Sequence, residues 1–209
     1  MKSNNIGWIV AAGLIAALVA SGFQTQPTKI GVVDMQSVFQ TSDYFKDKQN
    51  ELKNMGDTRS AILEFLQTYP TITAAQAQRF RDLSLKPDLT GAEKTELEKI
   101  KSDVIATDQS FKALQTKASP TPAEVTQLQS YNNQQQQTQT LSQTWAQEFN
   151  QELNDEKGKL SDDVRARLKD AVQDVAKKQG YTVVFTSDAV PFGSNDVTAD
   201  TLKVMNAKK

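Results

Sequence analysis

The acidic pairs Asp155-Glu156 and Asp162-Asp163 are the residues whose spacing could support chemistry, because paired carboxylates can bind a metal or act as an acid/base pair. Adjacent positions of a helix point about 100° apart, so neither pair converges on one point. Basic residues lie close by at Lys157, Lys159, Arg165 and Arg167. The pattern therefore favours a solvated, salt-bridged helix face over a catalytic or metal site.

Composition removes most other chemistry. The 209 residues contain no His and no Cys, which excludes a His general base, a thiolate nucleophile, a disulfide and a Cys/His zinc site. The sequence contains no GxGxxG, P-loop or GxSxG motif. We therefore expect no cofactor, no ATP and no enzymatic activity. The formal net charge of −1 also argues against nucleic-acid binding.

An apolar run at the N-terminus, from Ile6 to Ala20, spans 15 residues. That length is typical of a signal-peptide core and is short for a membrane span. Ala20 and Gly22 place small residues at the −3 and −1 positions of a cleavage site. We predict that residues 1–22 are a signal peptide and that the rest of the chain is exported. An uncleaved anchor is the alternative, since the run extended to Phe23 has 18 residues.

Short β-rich segments lie near both ends of the exported chain. Lys29–Val33 predicts a strand, and Asp34 after it is a suitable N-cap for a helix. Tyr181–Thr186 predicts a second strand, and Thr198 can begin a terminal helix. The sequence thus predicts an α+β protein that is mainly helical.

The two end segments, residues 29–41 and 180–207, contain 41 residues in total. That is too few to bury a self-sufficient core without a disulfide or a metal. We therefore expect several copies of the chain to combine their strands in one shared β body, so that the protein is an obligate oligomer.

Between the ends, residues 42–179 predict a helical hairpin arm. The turn Ser119-Pro-Thr-Pro marks its tip near residues 118–122, and Pro122 begins a helix that continues to Gly180. At 58 residues this helix would be about 87 Å long, too long for a compact domain of this size. We expect Gly56 to kink or break the first helix, and we expect the arm to be a thin rod without a core beyond its own helix seam.

Two pairs of residues before the tip predict further helix starts. Thr73 with Gln76, and Thr90 with Glu93, have the spacing of capping boxes. Pro70 and Pro87 interrupt the helical pattern immediately before them. The sequence does not determine whether segment 70–90 lies along the arm or folds aside.

This arrangement resembles the Skp/OmpH family of periplasmic chaperones. The resemblance rests on Lys29-Ile-Gly-Val-Val-Asp-Met with Val38-Phe39, on Gly158-Lys-Leu, and on Tyr181-Thr-Val-Val-Phe through Asp188-Ala-Val to Asp196-Val-Thr-Ala-Asp-Thr-Leu. Membership would imply a periplasmic homotrimer with a small β-barrel body. Its three arms would enclose a cavity in which unfolded outer-membrane proteins are held without ATP or catalysis.

The sequence departs from the family's cationic pattern. Residues 23–209 contain 23 basic and 25 acidic residues, and the tip Ser119-Pro-Thr-Pro carries no charge. The resemblance is therefore not extended to electrostatic capture of clients or to a lipopolysaccharide site on the arms, and the sequence leaves both open. If the N-terminal segment is retained as an anchor, we expect the protein to lie close to a membrane.

Two groups of residues are predicted to carry the function. The β body that assembles the oligomer would contain Ile30, Val32, Val33, Val183, Val184 and Phe185. Contacts to unfolded clients are predicted for the aromatic residues nearest the helix breaks or in the polar stretch, Tyr69, Phe80 and Tyr131. Packing within the arm is the alternative interpretation of these aromatics.

A Gln-rich stretch, Gln127–Gln151, contains ten Gln and a single charge, Glu148. It could offer side-chain amides to an unfolded backbone, or it could be a solvated helix face of low complexity.

Taken together, the sequence features and the family resemblance predict an ATP-independent holdase chaperone. A structural coiled-coil spacer or scaffold of the cell envelope, possibly with an N-terminal membrane anchor, is the alternative.

Overall fold

The computed structural model describes residues 28–190, 193 and 195–207. The predicted signal peptide lies outside these residues. None of the described helices combines the length and the apolar character needed to cross a membrane. The described chain forms two compact units by Cα proximity. We call the residues up to Ser42 and from Arg167 onward the terminal unit, and Asp43–Ala166 the central unit.

The helices and strands follow one another in the order β1, α1 to α5, β2 and α6. Their bounds are β1 Ile30–Val33, α1 Met35–Thr41, α2 Asp43–Thr68, α3 Ala74–Leu85, α4 Gly91–Gln115, α5 Pro122–Gln179, β2 Val183–Thr186 and α6 Thr198–Ala207. The protein is therefore mostly helical, as predicted, with a small sheet formed by strands from the two ends of the chain.

In the terminal unit, β1 and β2 pair in parallel, with Ile30 opposite Val183 and Val32 opposite Phe185. The other edge of β1 is also bonded, because the Val32 amide donates to the Asn195 carbonyl at 2.9 Å and the Val197 amide donates to the Val32 carbonyl at 2.8 Å. β1 is thus the central strand of this unit, flanked by segments that come 150 residues or more later in the sequence.

Asp34 caps the start of α1 and also links it to α6. The Asp34 carboxylate accepts from the Ser37 amide at 2.8 Å, which confirms Asp34 as the N-cap. The Asp34 amide donates to Thr198 Oγ1, also at 2.8 Å. Val38, Val197 and Met205 are fully buried in this unit. The terminal unit therefore has a small core of its own besides its two paired strands.

The break between α1 and α2 at Ser42 is not apparent from the sequence, which predicts one helix from Met35 onward. Ser42 has extended backbone angles, and its hydroxyl bonds to the Asn206 side chain at 3.1 Å. By contrast, α2 continues through Gly56 without the predicted break. At the Ser42 break, the hydrogen bond to Asn206 links the end of α1 to α6.

In the central unit, helices α2 to α5 pack around one hydrophobic cluster. The buried members of this cluster are Ile62, Leu66, Ile72, Ala77, Phe80, Leu83, Ile100, Val104, Trp145 and Phe149. The expectation of a thin rod without its own core is therefore wrong. Segment 70–90 supplies α3, and α3 contributes Ala77, Phe80 and Leu83 to the cluster.

The helix starts and stops in the central unit agree with the sequence signals. Both capping boxes are present, with the Thr73 and Thr90 side chains accepting from the amides three residues later. The long helix α5 begins at Pro122 and spans 58 residues. It ends at Gln179, and Gly180 follows with a φ of 71°, the left-handed conformation that glycine adopts without strain.

Candidate functional site

One face of the small sheet is apolar and open to solvent. Ile30 is 43% exposed, Val183 39% and Phe185 40%, although all three are large hydrophobic residues. On the opposite face, Gly31 and Val33 are buried. Because the register places Ile30 beside Val183, the exposed side chains form one continuous patch, which we call the sheet face. Within the described residues, β2 pairs with β1 alone, so its second edge is unpaired.

The three predicted client-contact aromatics do not come together in one site. Phe80 is 5% exposed and stacks on Phe65 at a centroid distance of 4.3 Å. Tyr131 is 8% exposed, meets Phe111 edge-on at 5.5 Å, and its hydroxyl accepts from Gln127 at 2.8 Å. Both are therefore packed inside the central unit.

Tyr69, the third of these aromatics, is half-buried. Its ring lies 4.9 Å from that of Phe65 by centroid distance. Part of the side chain thus remains accessible, next to the turn that contains Pro70. Tyr69 is the one of the three that a client could contact without rearrangement of the helices.

Two arginines connect α2 and α3 to α5, and no motif in the sequence indicates them. Arg59 pairs with Glu152 at 2.7 Å, and Arg81 pairs with Glu148 at 2.8 Å. The Arg81 guanidinium also lies 4.9 Å from the ring centroids of both Trp145 and Phe149. The sequence carries no local signal for these pairs, because the partners are 67 or more residues apart.

We expect Arg81→Lys to lower the free energy of unfolding by about 1–2 kcal/mol, because lysine keeps the charge but loses the planar stacking on two aromatic rings. Urea unfolding followed by circular dichroism measures the change. Arg79→Lys is the matched control: Arg79 also pairs with a glutamate at 2.7 Å, but it is 45% exposed and stacks on no ring in the described part of the chain. If both variants lost the same free energy of unfolding, Arg81 would contribute no more to stability than a surface ion pair.

At the turn before α5, Glu124 makes several hydrogen bonds. Its carboxylate accepts from Lys117 Nζ at 2.7 Å and from the Thr121 amide at 2.8 Å. The Lys117 hydrogen bond, followed by the Thr121 backbone hydrogen bond, lowers the pKa of Glu124 to about 2. Lys117 and Glu124 neutralise each other, so this pair gives the turn no net positive charge.

The Glu124 interactions should stabilise the turn above the ordinary glutamate pKa and should be lost as the pH falls from about 4.5 towards about 2. Stability rises with pH over this range because the folded chain lowers the Glu124 pKa and so favours the ionised form. A ¹³C NMR titration of the Glu124 carboxyl carbon should give this lowered pKa. In Lys117→Gln the pKa should move up towards the ordinary range, and an unchanged titration would contradict the assigned cause.

The acidic pairs of α5 each have separate partners. Asp155 accepts from Gln151 at 2.8 Å, and Asp163 accepts from the Tyr44 hydroxyl. Asp162 lies 3.8 Å from Arg165, in a solvated ion pair. No group of three acidic residues in the described part of the chain is arranged to hold a metal ion. These contacts agree with the interpretation of a salt-bridged helix face.

Comparison with known proteins identifies the family of this chain. The sequence model of a family described as outer membrane protein (OmpH-like) matches residues 29–205. The chain belongs to the OmpH-like family. The match begins beside β1 and ends within α6, so it includes both strands and every described helix up to that point. The resemblance inferred from the two ends of the sequence is therefore confirmed.

Curated relatives of this OmpH-like chain carry the name chaperone protein Skp. The protein from Pectobacterium atrosepticum is 28% identical over 198 residues, which cover 94% of this chain and 96% of the relative. The protein from Escherichia coli K12 is 31% identical over 199 residues, with the same two coverages. The Yersinia enterocolitica protein is 28% identical over 198 residues, again with those coverages.

Proposed function

We propose that this chain is an ATP-independent holdase chaperone that binds unfolded outer-membrane proteins in the periplasm. The observation that carries the proposal is its near full-length similarity to relatives that are named chaperones. The absence of a P-loop motif and of His and Cys from the sequence agrees with a mechanism that needs neither nucleotide nor catalysis.

We propose further that three copies assemble through a shared β-barrel body formed by residues 29–41 and 180–207. A two-stranded sheet is marginal by itself, and an exposed apolar patch on a sheet favours association. Ile30, Val183 and Phe185 would then lie between subunits, with Val32 and Val184 beside them. Val33 is 2% exposed in the single chain, so it would support the body from within its own subunit.

Residues 42–179 would form the arm, with its tip near residues 118–122. Client binding would be multivalent, with many weak contacts adding up in a confined space. Tyr69 can take part directly. Phe80 and Tyr131 are buried and would contact a client only if the helices of the central unit separate.

A signal peptide at residues 1–22 would place the mature protein in the periplasm, free of the membrane. An uncleaved inner-membrane anchor would instead keep it near the membrane surface. N-terminal sequencing of the protein isolated from the cell envelope distinguishes the two, since cleavage predicts Phe23 as the first residue.

Aggregation of an unfolded client tests the holdase function. A urea-unfolded outer-membrane β-barrel protein is diluted into increasing amounts of this protein without ATP, and light scattering is recorded. We expect suppression that saturates near three chains per client. Unchanged scattering at large excess, with the protein folded and oligomeric, would contradict the proposal and favour the alternative of a coiled-coil spacer in the cell envelope.

A further inference from the structure

An open groove of about 420 Å³ lies between the C-terminal end of α2 and the Gln-rich part of α5. None of its lining residues is charged. Pro70 supplies apolar surface, Leu66 lies buried beneath it, and four glutamines supply amide groups. These four are Gln67, Gln135, Gln139 and Gln143.

The central unit has little other exposed surface suited to an unfolded chain. Within Asp43–Ala166, Val125 is the single large hydrophobic residue among those classed as exposed. The large aromatics of the unit are partly or fully buried. This unit therefore offers few exposed apolar side chains to an unfolded chain, whereas uncharged hydrogen-bonding surface is abundant.

The spacing of three of the glutamines matches an extended backbone. Gln135, Gln139 and Gln143 are each four residues apart, so they lie on one face of α5 with about 6 Å between successive positions. Alternate residues of an extended chain are about 6.6–6.8 Å apart and present their amide groups with that period. The long glutamine side chain can accommodate the difference over three positions, and each amide both donates and accepts.

Gln134 precedes this row and does not line the groove. Its Oε1 atom is buried and has no hydrogen-bond partner among the described residues. This buried acceptor is therefore not offered to a segment in the groove. The nearby Thr138 hydroxyl is already used, since it donates to the Ile72 carbonyl at 3.0 Å.

We infer that this groove binds an extended, unfolded polypeptide segment through its backbone. Gln135, Gln139 and Gln143 hydrogen-bond to alternate peptide groups, while Pro70 packs against the segment. Recognition is independent of side-chain sequence and of charge, so binding is insensitive to salt. The inference rests on the proposed holdase function and names the surface of the central unit that performs it.

Two triple variants provide the test. Q135A/Q139A/Q143A removes the amides of the groove, and Q129A/Q136A/Q137A removes three exposed amides of the same helix that do not line it. Alanine favours the helix in both cases, so folding is preserved. The probe is a dye-labelled, uncharged, unstructured 15-residue peptide, together with a copy whose alternate backbone nitrogens are methylated. Fluorescence anisotropy with the full-length protein measures binding.

We expect the groove variant to bind the parent peptide about tenfold more weakly than the wild type, and the control variant to remain within about twofold. The methylated peptide should bind the wild type as weakly as the parent peptide binds the groove variant. Equal binding by the two variants, no effect of methylation, or no detectable binding by the wild type would each overturn the inference.

The light-scattering experiment separates failure of the groove from failure of the function. If the wild type suppresses aggregation and the groove variant does so equally well, the backbone-binding groove is refuted and the holdase function stands. If the wild type itself fails to suppress aggregation, the holdase function is refuted and the groove assignment falls with it.

Discussion

Phe185→Asp should convert the assembled protein into monomers and abolish holdase activity. Phe185 is 40% exposed on the sheet face, opposite Val32 on the adjacent strand. If the sheet face is the subunit interface, a carboxylate there would be taken out of water without a partner, at a cost of several kcal/mol for each subunit. Sedimentation velocity at micromolar concentration gives the oligomeric state directly.

Val125→Asp is the control for this substitution. Val125 is 41% exposed and belongs to the central unit, so the new carboxylate replaces a hydrophobic side chain of similar exposure at a site outside the proposed body. It lies in the first turn of α5, where an acidic residue is favourable. A trimer that persists in Phe185→Asp, or that is lost equally in both variants, would refute the sheet face as the specific interface.

Phe149→Ala should lower the free energy of unfolding of the central unit by about 3–5 kcal/mol. Phe149 is 2% exposed, and its ring lies 4.9 Å from the Arg81 guanidinium and 5.6 Å from that of Arg59. Removing the ring creates a cavity and deprives both arginines of their aromatic surface. Trp145 is 6.4 Å away by centroid distance, so its fluorescence reports local unfolding.

This measurement is made in a Trp8→Phe background, which leaves Trp145 as the only tryptophan of the two in the sequence. All variants are compared at one protein concentration, because assembly shifts apparent stability. Val125→Ala is the control and should change stability by no more than about 0.5 kcal/mol. A loss below about 1 kcal/mol in Phe149→Ala would mean that the cluster in the central unit is not a packed core.

Local signals in the sequence predicted the parts of the fold that local interactions determine. Pro122 at the first helical position and Gly180 after the last one fix the long helix, since both act through their own backbone. The same holds for the capping box of Thr73, whose side chain bonds to a residue three positions away. These features require no knowledge of the tertiary structure.

Features that depend on distant contacts were missed. The helix break at Ser42 coincides with a hydrogen bond to Asn206, which is 164 residues away. The core of the central unit depends on how α3 packs, and the short apolar pattern of that helix does not reveal its partners. For the same reason the sequence left two interpretations of Phe80 and Tyr131 open, client contact or packing within the arm, and the structure places both within the helix packing.

The candidate site was only partly predictable. The β-rich runs predicted both strands, and the proposal that their residues form an oligomeric body stays a prediction. The sequence does not show which face of the sheet remains uncovered, because that follows from the register of the two strands. The groove was visible only as a Gln-rich composition, because its other wall comes from α2, about 70 residues earlier in the chain.

The central claim is that three copies of this chain hold one unfolded client without nucleotide. Native mass spectrometry of the protein mixed with a urea-unfolded outer-membrane β-barrel protein, in the absence of ATP, tests it most directly. We predict one dominant complex whose mass equals three chains plus one client. A client that remains free or aggregated beside an intact oligomer, or that is bound to a single chain, would contradict the account.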